Sequence, residues 1–119
     1  MTSAPLAVLL VAVLHFIADY EDPRGIVATF MDAVPAGSYL ALSQVASDIQ
    51  AEQMAEAARR YNRLAHETQR HRTHAEVTRF FDGLELVEPG LVPVQEWRPR
   101  SEVEARTRSA MWGGVGRKR

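Results

Sequence analysis

The chain opens on an unbroken apolar run, Leu6 to Leu14 (LAVLLVAVL), which Phe16 and Ile17 extend. Continuous runs of this kind mark a strand buried on both faces, the pattern of parallel sheets with helices on either side. A bilayer span needs about 20 apolar residues, more than stand here. A secretory leader needs a basic stretch before the run, and Met1 to Pro5 carries no basic side chain. The run is read as an interior strand.

Helix and strand patterns then alternate. Asp22-Pro23 has the form of a helix start, with Pro at the first helical position, and Ile26, Val27, Phe30 and Met31 share one face. Pro35-Ala36-Gly37 stops that helix, and residues 37–43 (GSYLALS) read as a second strand. Two apolar strands joined through a helix make a βαβ unit, so the pair should be parallel. Asp48 is placed to cap a longer helix reaching about Ala65, with Ile49, Met54, Ala58 and Tyr61 on its inner stripe. Glu56 stands four residues before Arg60, a surface pair. After a polar stretch from His66 to Arg72, Thr73 and Glu76 fit a capping box, and Val77, Phe80 and Phe81 supply an apolar face. Gly83 suits a left-handed helix end. Leu84 to Val94 is a third strand region, bent at Pro89-Gly90. Residues 98–109 read as an exposed loop, and Ala110 to Gly116 as a final glycine-rich strand before the basic end Arg117-Lys118-Arg119. The order β-α-β-α-α-β-β makes an α/β fold with an antiparallel hairpin at its end.

Composition narrows the function. In 119 residues there is room for a single domain, residues 1–119. Basic and acidic residues number 14 and 15, so bulk charge does not favour nucleic acid or any other polyanion. There is no cysteine, which excludes disulfides, thiolate metal ligands and a cysteine nucleophile, and fits a cytoplasmic protein. His66, Glu67, His71 and His74 suggest a zinc site, but the spacing of five between His66 and His71 leaves one helical face, so no metal is expected.

Three stretches carry a family resemblance: LLVAVLHFIAD (9–19), GSYLALS (37–43) and EVTRFFDGLELVEPGLVPVQEWRP (76–99). They resemble the S-adenosyl methyltransferase family common in actinobacteria. The resemblance implies a partial Rossmann-like class I methyltransferase sheet, with two parallel strands, a C-terminal antiparallel hairpin and helices on the faces. It implies S-adenosyl-L-methionine as cofactor and a small-molecule methyl acceptor as partner. It covers the second half of the family's domain. The glycine-rich cofactor loop and the ribose-binding acid of that family have no counterpart here; Gly113-Gly114-Val115-Gly116 opens no helix. The first strand would correspond to the family's fourth, leaving one apolar edge unpaired, an edge suited to self-association or to pairing with an N-terminal half.

The resemblance also nominates site residues. His15 follows the first strand at the carboxyl edge, where open α/β sheets bind ligands. In related enzymes a His at this place either serves as general base on the acceptor or shapes its pocket; its pKa suits the first role. Ala12 and Val13 match positions whose backbone touches the methionine end of the cofactor, and are equally read as plain strand. Phe16, Ser43 and Gln44 are the acceptor-pocket candidates. Gln44 stands where the family usually has His, so no acid-base role is available there. Ala18 stands where the family usually has Pro.

Overall fold

A computed structural model describes residues 4–64, 69–98, 101 and 110–119. The opening apolar run yields a shorter strand than its pattern suggests, β1 (Ala7–Val11). The ladder ends there because Ala12 turns into the left-handed region, φ 55°, and its N–H is taken by the Ser43 hydroxyl at 2.9 Å. Asp22 and Pro23 start α1 (Pro23–Asp32), with the Asp22 carboxylate accepting from Gly25 N–H at 3.2 Å. Then come β2 (Tyr39–Val45), α2 (Ala51–Leu64) and α3 (His74–Thr78), which runs on into a 3-10 turn over Arg79–Phe81. Three strands follow: β3 (Leu84–Leu86), β4 (Val92–Pro93) and β5 (Met111–Lys118).

The strands form one mixed sheet in the order β1-β2-β5-β3. β1 and β2 are parallel, Ala7 facing Tyr39 and Val11 facing Ser43. β5 runs antiparallel to β2 along seven pairs, from Tyr39–Arg117 to Val45–Met111. Its other edge is shared by β3 and β4, which the Pro89-Gly90 bend separates; Gly90 has φ 88°. The expected end hairpin is therefore present, and the fold is α/β with a partly parallel sheet. The basic end is ordered differently from expectation. Arg117 and Lys118 belong to β5, and the Lys118 ammonium donates to the Met31 and Val34 carbonyls at 2.6 and 2.8 Å, closing the C-terminus of α1.

The core lies on one side of this sheet. Val27 and Met31 of α1, and Val77, Phe80 and Phe81 of α3 and its turn, pack on Leu40 and Leu42 of β2. Phe30 falls outside this stripe and is 47% exposed. The other side is open at β1: Leu9 is 66% and Val11 59% exposed, while Val8 and Leu10 reach the core. The expectation of a strand buried on both faces, with helices on both, is corrected accordingly. An apolar run shows that a strand is apolar on both sides; it cannot show that both sides are covered. Within α2, Met54 and Ala58 are half-buried, but Tyr61 lies at the surface. The expected surface pair forms, with Glu56 bonding both Arg59 and Arg60. Asp48 does not cap α2. Its carboxylate instead accepts from His74 N–H at 2.9 Å and Trp112 Nε1 at 2.8 Å, joining α3 to β5. The Thr73–Glu76 capping box forms as read, and Gly83 takes φ 81°.

Glycines in β5 let the core close on the strand. A Cβ on Gly116 would stand 2.9 Å from the Phe81 ring and 3.1 Å from Leu84. Phe81 is 3% exposed and has no room to withdraw. Gly116→Ala should therefore cost about 1–3 kcal/mol as an overpacked core. A denaturant midpoint equal to that of the parent chain would contradict this packing.

Candidate functional site

The site is built where β1 and β2 end side by side. Past Ala12 the chain turns through Val13 into a 3-10 turn, Leu14–Phe16, closed by Phe16 N–H to the Val13 carbonyl at 3.1 Å and Ile17 N–H to the Leu14 carbonyl at 3.0 Å. Leu14 is fully buried and pins the turn to the core. That anchoring turns the neighbouring residues outward to different degrees. Val13 and Phe16 stay exposed, while His15 is buried, with the Phe16 ring 4.2 Å from its own, centroid to centroid. His15 Nδ1 is enclosed and makes no hydrogen bond among the described residues. An unpartnered buried polar atom of this kind is uncommon.

Burial, and then the neighbouring His71 and Arg72, hold the His15 pKa below the ordinary imidazole value. The ring is uncharged at neutral pH and keeps a lone pair. His71 is likewise held down, first by burial and then by Arg70; its Nε2 meets Gln69 Oε1 at 2.9 Å.

Ser43 and Gln44 stand behind this turn. The Ser43 hydroxyl accepts from Ala12 N–H, and Ser43 is buried. Gln44 is fully buried; its Nε2 donates to the Val45 and Arg70 carbonyls at 3.0 and 2.9 Å, and its Oε1 accepts from Arg72 at 2.8 Å. Val13 and Phe16 thus line the outer side of one turn, with half-buried Ala12 and buried His15 between them and Ser43 and Gln44. Ala18 uses its N–H, donating to Glu21 Oε1 at 3.0 Å, a bond that a Pro at this position could not make. Val11, Val13 and Phe16 form an exposed apolar strip beside the buried His15 ring. A groove of about 530 Å³ between α1, the Arg79–Phe81 turn and the end of β5, and a hollow of about 240 Å³ beside Asp19, Arg24 and Arg79, are not lined by His15.

The polar stretch hides residues that pattern reading passed over. Arg72 is 2% exposed and bonds to the carbonyls of Leu14 and Ile17, to Gln44 and to Asp19. Arg70 pairs with Asp19 and Glu76, each at 2.9 Å, and donates to the His71 carbonyl. The Arg70 bond, and then Arg72, hold Asp19 below its ordinary value. The one signal for this in the sequence is the alternation of Arg70 and Arg72, which matches a strand-like bridge between Ala46 and Arg72. His66 and Glu67 lie outside the described residues, as does most of the 98–109 loop. No helix among the described residues is long and apolar enough to cross a membrane.

Residues 2–119 match an S-adenosyl methyltransferase family. The chain belongs to that family. Among solved structures it is similar to a DUF574 family protein from Streptomyces avermitilis, with 39% identity and a TM-score of 0.91 over 98% of this chain and 45% of that one. A candidate methyltransferase from Thermobifida fusca shows 34% identity and a TM-score of 0.82, over 98% and 44% of the respective chains. The N-methyltransferase NodS from Bradyrhizobium japonicum, solved with S-adenosyl-L-homocysteine, shares the fold at 15% identity and a TM-score of 0.55, over 99% of this chain and 49% of that one. No curated protein matches the chain. The chain thus spans a little under half the length of these relatives. S-adenosyl-L-methionine is the cofactor of the S-adenosyl methyltransferase family.

The two depressed imidazoles make stability depend on pH. His15 and His71 bind protons less readily folded than unfolded, so acid favours unfolding. Their contribution is fully present above the ordinary value of 6.5 and is lost as pH falls from there toward the folded values. Denaturant midpoints should fall between about pH 7.5 and about pH 5, above the range where carboxylates titrate. The fall should shrink in a His15→Gln, His71→Gln variant. A flat profile over that range would contradict the burial of both rings.

Proposed function

We propose that these 119 residues form the C-terminal half of one methyltransferase domain and supply the acceptor-side wall of an enzyme that methylates a small molecule. The observation that carries this reading is His15: an uncharged, enclosed imidazole with a free Nδ1, at the carboxyl end of β1. S-adenosyl-L-methionine, when bound, supplies an electrophilic methyl group on a sulfonium centre. An uncharged ring beside that cation avoids the repulsion an imidazolium would bring. The backbone of Ala12 and Val13, just past the end of the β1 ladder, would hold the methionine end of the cofactor. The His15 imidazole orients the acceptor and takes its proton. Phe16 covers the acceptor and excludes water from it. Ser43 and Gln44 act from behind, Ser43 by fixing the turn at Ala12 and Gln44 by tying the end of β2 to Arg70 and Arg72. A cytoplasmic site of action fits a chain without cysteine.

A second reading is favoured by the open side of β1. Leu6, Leu9 and Val11 are exposed along a strand whose outer edge pairs with nothing among the described residues. Such an edge can take another strand. The chain then works through association, with a second copy or with a polypeptide carrying the N-terminal half of the fold.

Calorimetric titration of the purified chain with S-adenosylhomocysteine separates the two. Micromolar binding is expected on the first reading. No heat at high protein concentration, with a dimer in sedimentation, would favour the second. In an enzyme that holds this chain within the full fold, His15→Ala should lower turnover about 10²–10⁴-fold, the range for a lost general base. Cofactor affinity should stay nearly unchanged; equal losses in both would make His15 structural.

A further inference from the structure

Arg72 occupies a position that a surface-type residue rarely holds. Its Nη1 donates to the Leu14 carbonyl at 2.7 Å and to Gln44 Oε1 at 2.8 Å; its Nη2 donates to the Ile17 carbonyl at 2.6 Å and to Asp19 Oδ1 at 3.2 Å. Each of these nitrogens carries two N–H groups, and all are used. Leu14 and Ile17 flank His15 and Phe16, so one planar group grips both ends of the turn that carries the imidazole. The backbone of Arg72 is itself fixed to the end of β2, through Arg72 N–H to the Val45 carbonyl at 3.0 Å and Ser47 N–H to the Arg72 carbonyl at 2.9 Å. Phe80 lies against the guanidinium, 5.4 Å from its carbon to the ring centre. The same segment reaches His15 directly, as Arg70 N–H donates to the His15 carbonyl at 2.6 Å.

We propose that Arg72 is the positioning residue of this site: gripping the Leu14 and Ile17 carbonyls from the end of β2, it holds the His15 ring where Nδ1 has no protein partner. The proposal rests on the reading of His15 as the acceptor-facing group. The grip needs a fork. A lysine ammonium is a point donor and cannot span two carbonyls, an amide and a carboxylate at once. The groups whose charge bears on His15 are His71 and Arg72, and both act against the imidazolium form. Asp19 ties the far side of Arg72 to the segment that leads into α1.

NMR on the whole chain tests this. Arg72→Lys keeps the charge and loses the fork; Arg72→Gln loses both. Amide exchange at Phe16 and Ile17 should quicken about tenfold or more in both variants, while Val27 and Met31 in α1 keep their protection, as expected for local rather than global opening. The His15 titration should rise toward the ordinary value in Arg72→Gln, and rise less in Arg72→Lys. In the full-fold enzyme, turnover should fall with cofactor affinity held. A folded Arg72→Gln variant with unchanged exchange at the turn and an unchanged His15 titration would overturn the proposal. Should both variants fail to fold, the parent chain still decides. Slowly exchanging, individually resolved Arg72 Nη protons with contacts to Leu14 and Ile17 support the grip; a single averaged, fast-exchanging signal overturns it. Failure to bind S-adenosylhomocysteine, with these effects present, would count against the methyltransferase reading and leave the grip standing.

Discussion

A guanidinium sealed beneath the end of the parallel strand pair is the constraint on which the site depends. Taking an ion of this kind out of water costs several kcal/mol, and the cost is offset only where its donors all find good acceptors. Arg72 finds two carbonyls, an amide oxygen and a carboxylate. Burial pushes its pKa down and the Asp19 carboxylate pushes it up, and arginine remains charged in either case. One carbonyl it takes, that of Leu14, also closes the 3-10 turn by accepting from Ile17 N–H, and the other, that of Ile17, lies just past the turn, so the guanidinium binds the turn at both its ends. Sheet, turn and polar segment are in this way consequences of one another.

The same economy explains the uneven surface of the sheet. α1 and α3 supply one covered face, and the Phe81 ring packs close on β5 because Gly114 and Gly116 stand there. The other face stays apolar and open at Leu9 and Val11. A chain that spans under half of its relatives' length, yet overlays one of them at a TM-score of 0.91, keeps the local design of the family's strands and turns. Its open face and its proposed site wall lie on the same edge strand and on the turn that follows it.

What was legible in the residues is what short-range chemistry decides. Asp22-Pro23, the Thr73–Glu76 box, Gly83 and the Pro89-Gly90 bend each act within a few residues, and each stands where it was read. The parallel pair followed from two apolar runs with a helix between them. His15 could be placed at the carboxyl edge because it follows the strand directly. Long-range partners were not legible. Asp48 looks like a helix cap, yet it serves Trp112, 64 positions away. Arg72 looks like part of a wet loop, yet its partners include Leu14, 58 positions away. Burial of β1 on both faces failed for a related reason: coverage depends on elements elsewhere, and hydropathy reports only what a strand could bury.

On the methyltransferase reading, the turn from Ala12 to Phe16 faces the cofactor and its acceptor. Amide chemical-shift mapping with S-adenosylhomocysteine is the direct test. The largest shifts are expected at Ala12, Val13, His15 and Phe16, with smaller ones at Ser43. Shifts centred instead on the groove at Arg24, Arg79 and Lys118, with Ala12 to Phe16 unmoved, would contradict it.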